Sequence, residues 1–155
     1  MAIDALDTYA PSYQKSRPNT KFFALFVSDR SEDTATMFVS KRYEQYSSAT
    51  RDFTSQHTPD ALVAKQVPTI TLNDLLAPAA ITNIDFISMD IELSEPQALA
   101  GFDLRRFMPR LVCIEAHPQT RQHILDYFAA RGYTIVGKYL RLDQINLWFT
   151  PLAPR

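Results

Sequence analysis

The sequence predicts an α/β domain of three layers, helices packed on a central sheet, closed by a pair of antiparallel strands. Two apolar runs, Ile84-Asp85-Phe86-Ile87-Ser88-Met89 and Arg110-Leu111-Val112-Cys113-Ile114, have the length of buried strands. Each is followed by a helix signal. Ser94-Glu95-Pro96 places an N-cap residue, an acid and a first-turn proline in order, and residues 119–131 carry Ile124, Leu125, Tyr127 and Phe128 at helical spacing. Two further runs, Tyr133-Thr134-Ile135-Val136-Gly137 and Ile145-Asn146-Leu147-Trp148-Phe149-Thr150, form the closing pair.

From the start of the chain, residues 1–6 form a short apolar segment carrying Asp4, with Asp7 just beyond. Residues 11–17 read as a brief polar helix or turn, broken at Arg17-Pro18-Asn19. Residues 21–28 are nearly continuous apolar, hence one buried strand, and 29–33 are a charged turn. Ala35-Thr36-Met37-Phe38-Val39-Ser40 is β-branched and partly alternating, a strand with one exposed face. Residues 41–67 show no clear period and read as a long loop. Within it, Tyr46-Ser47-Ser48 either lines a cleft with hydroxyl donors or is simply polar loop. Residues 67–76 read as a short extended piece entering a helix, with Thr71 as N-cap and Asp74 at the capping-box position. Gly101 and Gly132 each stop a helix.

The two central strands both end in ionisable groups. Asp90 and Glu92 are two residues apart, which on a strand puts them on one face, and the next strand ends in Glu115-Ala116-His117. Ligands of open α/β sheets sit outside the carboxyl ends of the strands, so one shared cleft is expected there. Asp90 is the first candidate for a general base, with Glu92, Glu115 and His117 behind it; otherwise Asp90 caps the following helix. His57, His117 and His123 do not assemble a metal site by spacing. His117 and Glu115 offer two ligands on one strand face with no visible third, so no metal centre is predicted.

At 155 residues the chain is one domain, residues 1–155, with enough apolar content (46%) for a sizeable core. A net charge of -1 with no basic block argues against nucleic acid or an anionic membrane as partner. The lone Cys113 permits no internal disulfide, and no export signal or membrane-length apolar run is visible, so a cytoplasmic protein is expected. There are three glycines where average usage of about 7% would give roughly eleven. None lies in a glycine-rich phosphate or dinucleotide loop.

Taken in order, these pieces resemble the FkbM family of S-adenosylmethionine-dependent methyltransferases. Val67-Pro68-Thr69-Ile70-Thr71-Leu72-Asn73-Asp74-Leu75-Leu76 is similar to the family's V-x-T-x-T-L-D-D-L-L segment. Residues 84–101 are similar to I-D-F-x-x-x-D-x-E-G-x-E-x-x-x-L-x-G, residues 109–115 to P-x-x-x-x-x-E, and residues 146–149 to the closing N-x-x-F. Ser47 and Ser48 correspond to a serine pair that the family often carries. The resemblance implies a class I methyltransferase-like, Rossmann-like sandwich, S-adenosylmethionine as cofactor, and methylation of a hydroxyl on a sugar or small metabolite. It also implies that Asp90 lies beside cofactor and acceptor, that Glu92 and Glu95 are the signature glutamates, and that Glu115 is the acid ending the next strand. Asp4, or failing that Asp7, falls where an acid accepts from the cofactor ribose.

Two departures bear on these expectations. Leu93 stands where the signature has glycine. The family's first strand and glycine-rich turn have no counterpart, because the chain opens about where the second strand falls and matches the C-terminal part of the family domain. Two function classes stay open: a methyltransferase, complete with a further N-terminal segment or as a homo-oligomer, and a non-catalytic methyltransferase-like domain serving as a binding or interaction module.

Overall fold

A computed structural model describes residues 1–79 and 81–152; of the expected domain 1–155, residues 80 and 153–155 lie outside this description. The architecture is mixed α/β. Among the described residues the strands form three sheets, with six α-helices and three short 3-10 turns between them.

The first sheet is a parallel pair, β1 (Ala2–Asp4) and β2 (Phe22–Ala24), joined by a 3-10 turn and helix α1 (Ala10–Ser16) with Pro11 in its first turn. Tyr13 of α1 packs its ring 5.0 Å from that of Phe22. The expected single strand over 21–28 is divided at Leu25. Beyond it, β3 (Phe26–Val27) leaves β1 and pairs in parallel with β5 (Leu62–Ile70), so the apolar run serves two sheets in turn.

The long loop expected over 41–67 is corrected by the structure. It contains α2 (Arg51–His57) and most of β5, which runs antiparallel to β4 (Thr34–Ser40) from Thr34↔Pro68 to Ser40↔Leu62. Val67 and Thr69 are buried while Gln66 and Pro68 are exposed, the two-residue alternation of a strand with one face to solvent. β3 pairs only with Thr69 and Ile70, so Pro68 sits where β5 has a single partner, a position at which a strand accepts proline.

The third sheet, in the order β6-β7-β9-β8, holds the expected central strands and the closing pair. β6 (Phe86–Met89) and β7 (Leu111–Glu115) are parallel, and β9 (Asn146–Pro151) runs antiparallel to both β7 and β8 (Tyr133–Ile135). The main core lies against this sheet. Val112, Ile114, Leu147 and Phe149 from the strands meet Leu99 of α4 (Glu95–Ala100), Leu104 and Phe107 of α5 (Leu104–Phe107), and Ile124 and Phe128 of α6 (Arg121–Ala129). Phe128 stacks on Phe149 at 4.1 Å between ring centroids. No described helix is long and apolar enough to cross a membrane.

The helix signals fare unevenly. Thr71 caps α3 (Leu72–Leu76) as expected, its Oγ1 accepting from the Asp74 N–H at 3.0 Å. Asp74 completes the capping box through Ser31, whose hydroxyl donates to Asp74 Oδ2 while accepting from the Thr71 N–H. Ser94 precedes α4 but its side chain makes no cap bond. Gly132 stops α6 with φ of 77°, in the left-handed region. Gly101 stops α4 as its C-cap, as expected, but at φ of -90° it is outside the left-handed region, so its requirement for glycine has another origin.

Candidate functional site

Strand β6 ends at Met89, one residue before the acids, and the chain turns sharply. Glu92 and Leu93 lie at φ of 52° and 75°, both in the left-handed region. The expectation that Asp90 and Glu92 share a strand face is therefore corrected: the extended conformation that would align them has ended. Three hydrogen bonds hold the turn. Glu95 Oε1 accepts from the Ile91 N–H at 2.9 Å, Ile91 O accepts from the Ser94 N–H at 3.3 Å, and Ser48 Oγ donates to Glu92 O at 2.6 Å. A glycine adopts such φ values at little cost, whereas an ordinary side chain loses about 1–2 kcal/mol. Leu93→Gly is therefore expected to raise stability by about 1 kcal/mol, seen as a melting point higher by a few degrees. A lower melting point would mean that the Leu93 side chain contributes more than its backbone strain costs.

The turn brings Glu92 to the tip of β7. Glu92 Oε2 lies 3.5 Å and Glu115 Oε2 2.9 Å from His117 Nε2. The His117 ring meets Phe53 of α2 edge to face at 5.2 Å, and Phe53 in turn lies 4.3 Å from His57. Burial raises the Glu115 pKa to about 8, reinforced by the charges of Asp90, Glu92 and Glu95. Burial also raises Glu92, reinforced by Asp90 and opposed by His117, and it raises the fully buried Glu95 against the Ile91 N–H bond. The third group that spacing alone does not reveal beside Glu115 and His117 is thus Glu92.

The remaining expected residues divide into two groups. Asp4, Ser47 and Asp90 line one cavity of about 130 Å³, together with Tyr9, Phe26 and Ile91. Asp4 sits at the end of β1, with Oδ1 accepting from the Leu6 N–H at 2.8 Å, and burial raises its pKa. Ser47 Oγ is buried without a hydrogen-bond partner. Asp90 is exposed at the cavity's edge and couples it electrostatically to Glu92 and Glu115. Ser48 and Asp7 lie elsewhere. Ser48 is buried and supports the Glu92 turn, while Asp7 is exposed and pairs with Lys65 on β5. Phe53 is not marked in the sequence, because α2 is a seven-residue helix in a polar stretch; its one signal is the aromatic pair Phe53 and His57 at helical spacing.

Compared with known proteins, residues 2–135 match a family described as the methyltransferase FkbM domain. No curated protein and no solved structure matches the chain.

Proposed function

The chain belongs to the methyltransferase FkbM domain family, and from that membership we propose that it serves S-adenosylmethionine-dependent methylation of a hydroxyl on a sugar or small metabolite, on a class I methyltransferase-like sandwich. The observation that carries this reading is the convergence of Asp4, Ser47 and Asp90, from three separate segments, on one cavity beside the Glu92, Glu115 and His117 cluster. A half-buried carboxylate at a strand end accepts from paired ribose hydroxyls, and Asp4 has that setting.

The fit to the cofactor is incomplete. The cavity of about 130 Å³ is smaller than the roughly 300–1,000 Å³ usual for ligand pockets, and Gly101, Gly132 and Gly137 all lie outside its lining. The chain's own groups still suit the acceptor's side of the reaction. Asp90 reaches both the cavity and the acid cluster, so an acceptor hydroxyl hydrogen-bonded to it has a proton acceptor at hand. The small cavity is also the specific reason to keep a second reading, a non-catalytic binding module.

Calorimetric titration of the folded chain with S-adenosylmethionine separates the two. Micromolar binding, weakened at least tenfold by both Asp4→Ala and Asp90→Ala, is the expected result. No binding by a folded chain would overturn the cofactor assignment for this chain acting alone and favour the binding module.

A further inference from the structure

We propose that Glu92, Glu115 and His117 form a binding site for a single first-row divalent transition cation, with Glu92 Oε2, Glu115 Oε2 and His117 Nε2 as its ligands. The three ligand atoms lie within 4.8 Å of one another, and the two separations from His117 Nε2 are 2.9 and 3.5 Å. Metal-ligand bonds of about 2.0–2.2 Å set neighbouring ligand atoms roughly 3.0–3.5 Å apart, so the two separations from His117 Nε2 suit ligands of one cation.

The cluster is more than a group of acids. Glu115 is only 9% exposed, and its Oε2 has no hydrogen-bond partner although it is aimed at His117. His117 is partly exposed, at 22% of its side chain, but its Nε2 atom is buried and likewise without a partner. The 2.9 Å approach between them therefore lacks hydrogen-bond geometry, and the two atoms converge on common space. Glu95, fully buried and close enough to influence Glu115, has its own Oε2 unpartnered. Among the described residues no lysine or arginine forms an ion pair with Glu92, Glu95 or Glu115. Buried polar atoms left in this state cost free energy, and a cation would satisfy Glu115 Oε2 and His117 Nε2 together.

One imidazole nitrogen and two carboxylate oxygens suit Zn²⁺ or Mn²⁺ better than Mg²⁺ or Ca²⁺, which favour oxygen alone. Three protein ligands also leave a coordination position for water or a substrate oxygen. The site does not depend on methyl transfer: the test below uses no S-adenosylmethionine, so either proposal can fail while the other stands.

The test is calorimetric titration of chelator-stripped protein with Zn²⁺ and with Mn²⁺. One equivalent of each should bind, Zn²⁺ the more tightly, as the usual order of divalent affinities requires. Glu92→Gln and His117→Gln should each weaken Zn²⁺ at least tenfold, while His123→Gln, on the exposed face of α6, should leave it unchanged. Glu92→Gln conserves size, and its fold is checked by melting; in wild type, saturating Zn²⁺ should raise the melting point. Absence of binding by folded wild type would overturn the proposal. So would equal Zn²⁺ affinity in wild type and Glu92→Gln, the result expected if Glu92 is not a ligand.

Discussion

Gly101→Ala is expected to destabilise the chain by about 3 kcal/mol, the upper part of the usual range for overpacking a buried site. The cause is contact, since φ of -90° and ψ of 16° are open to any residue. A Cβ at this position would stand 2.2 Å from the carbonyl oxygen of Ser28 and 3.1 Å from Thr71 Cβ. The end of α4 here presses on the end of β3, and the entry of α3 hangs on the same point: the Asn73 N–H donates to Gly101 O at 3.2 Å, and the Ser28 N–H to Ile70 O at 2.9 Å. Because the obstacle is backbone, it cannot swing aside as a side chain would. Denaturant midpoints provide the check. Gly101→Asn should fare no better than Gly101→Ala, although asparagine suits a left-handed helix stop. Gly137→Ala, with open space around its Cβ position, should stay within a few tenths of a kcal/mol of wild type or slightly above it. A Gly101→Ala variant as stable as wild type would mean that the β3 and α4 ends separate freely.

What the sequence reveals and what it hides follow from where the apolar residues fall. β6 and β7 are legible because short apolar runs mark them, and β8 and β9 because Gly132 and a second apolar run frame them. β5 is hidden. It exposes Val63, Ala64, Gln66 and Pro68, so its buried residues are diluted by neighbours that read as loop, and its hydrogen-bond partner β4 is distant in sequence. The division of residues 21–28 between two sheets is hidden for a related reason. An apolar run records that a segment is buried, while the identity of its partner is decided by strands elsewhere.

The candidate site shows the same divide. Glu115 and His117 are visible as the ionisable tip of an apolar strand, although β7 ends at Glu115 and the expected shared strand face does not extend to His117. Glu92 joins them through two consecutive non-glycine residues in the left-handed region, a conformation that no local propensity announces. Asp4, Ser47 and Asp90 could not have been grouped by spacing at all. Their association came from family resemblance, and the shared cavity depends on β1, the turn before Ser48 and the end of β6 lying side by side. Local chemistry thus marks individual ionisable residues, whereas their assembly depends on turns and sheet order.

Raising the pH from 5 to 8 in the presence of a chelator should cost wild type roughly 3 kcal/mol more than it costs Glu115→Gln. The sign follows from Glu115, whose folded pKa of about 8 lies above its ordinary value of 4.5. Between those values the folded chain keeps a proton that the unfolded chain has released. The stability this provides is complete below the unfolded value and is lost as the pH rises through the folded one. The groups that hold the proton in place face it from two sides: Asp90, Glu92 and Glu95 along the β6 turn and α4, and His117 beyond its own strand. Asp4, Glu92 and Glu95 are raised as well and slope in the same direction, so the informative quantity is the difference between wild type and variant at each pH. Asp7, Asp29, Asp74 and Asp143 are lowered and stay ionised in both states across this range, so they add no slope. Glutamine mimics the protonated acid, so the two proteins should melt alike at pH 5 and the variant should be the more stable at pH 8. Parallel melting curves across the whole range would show that Glu115 is already ionised near neutrality.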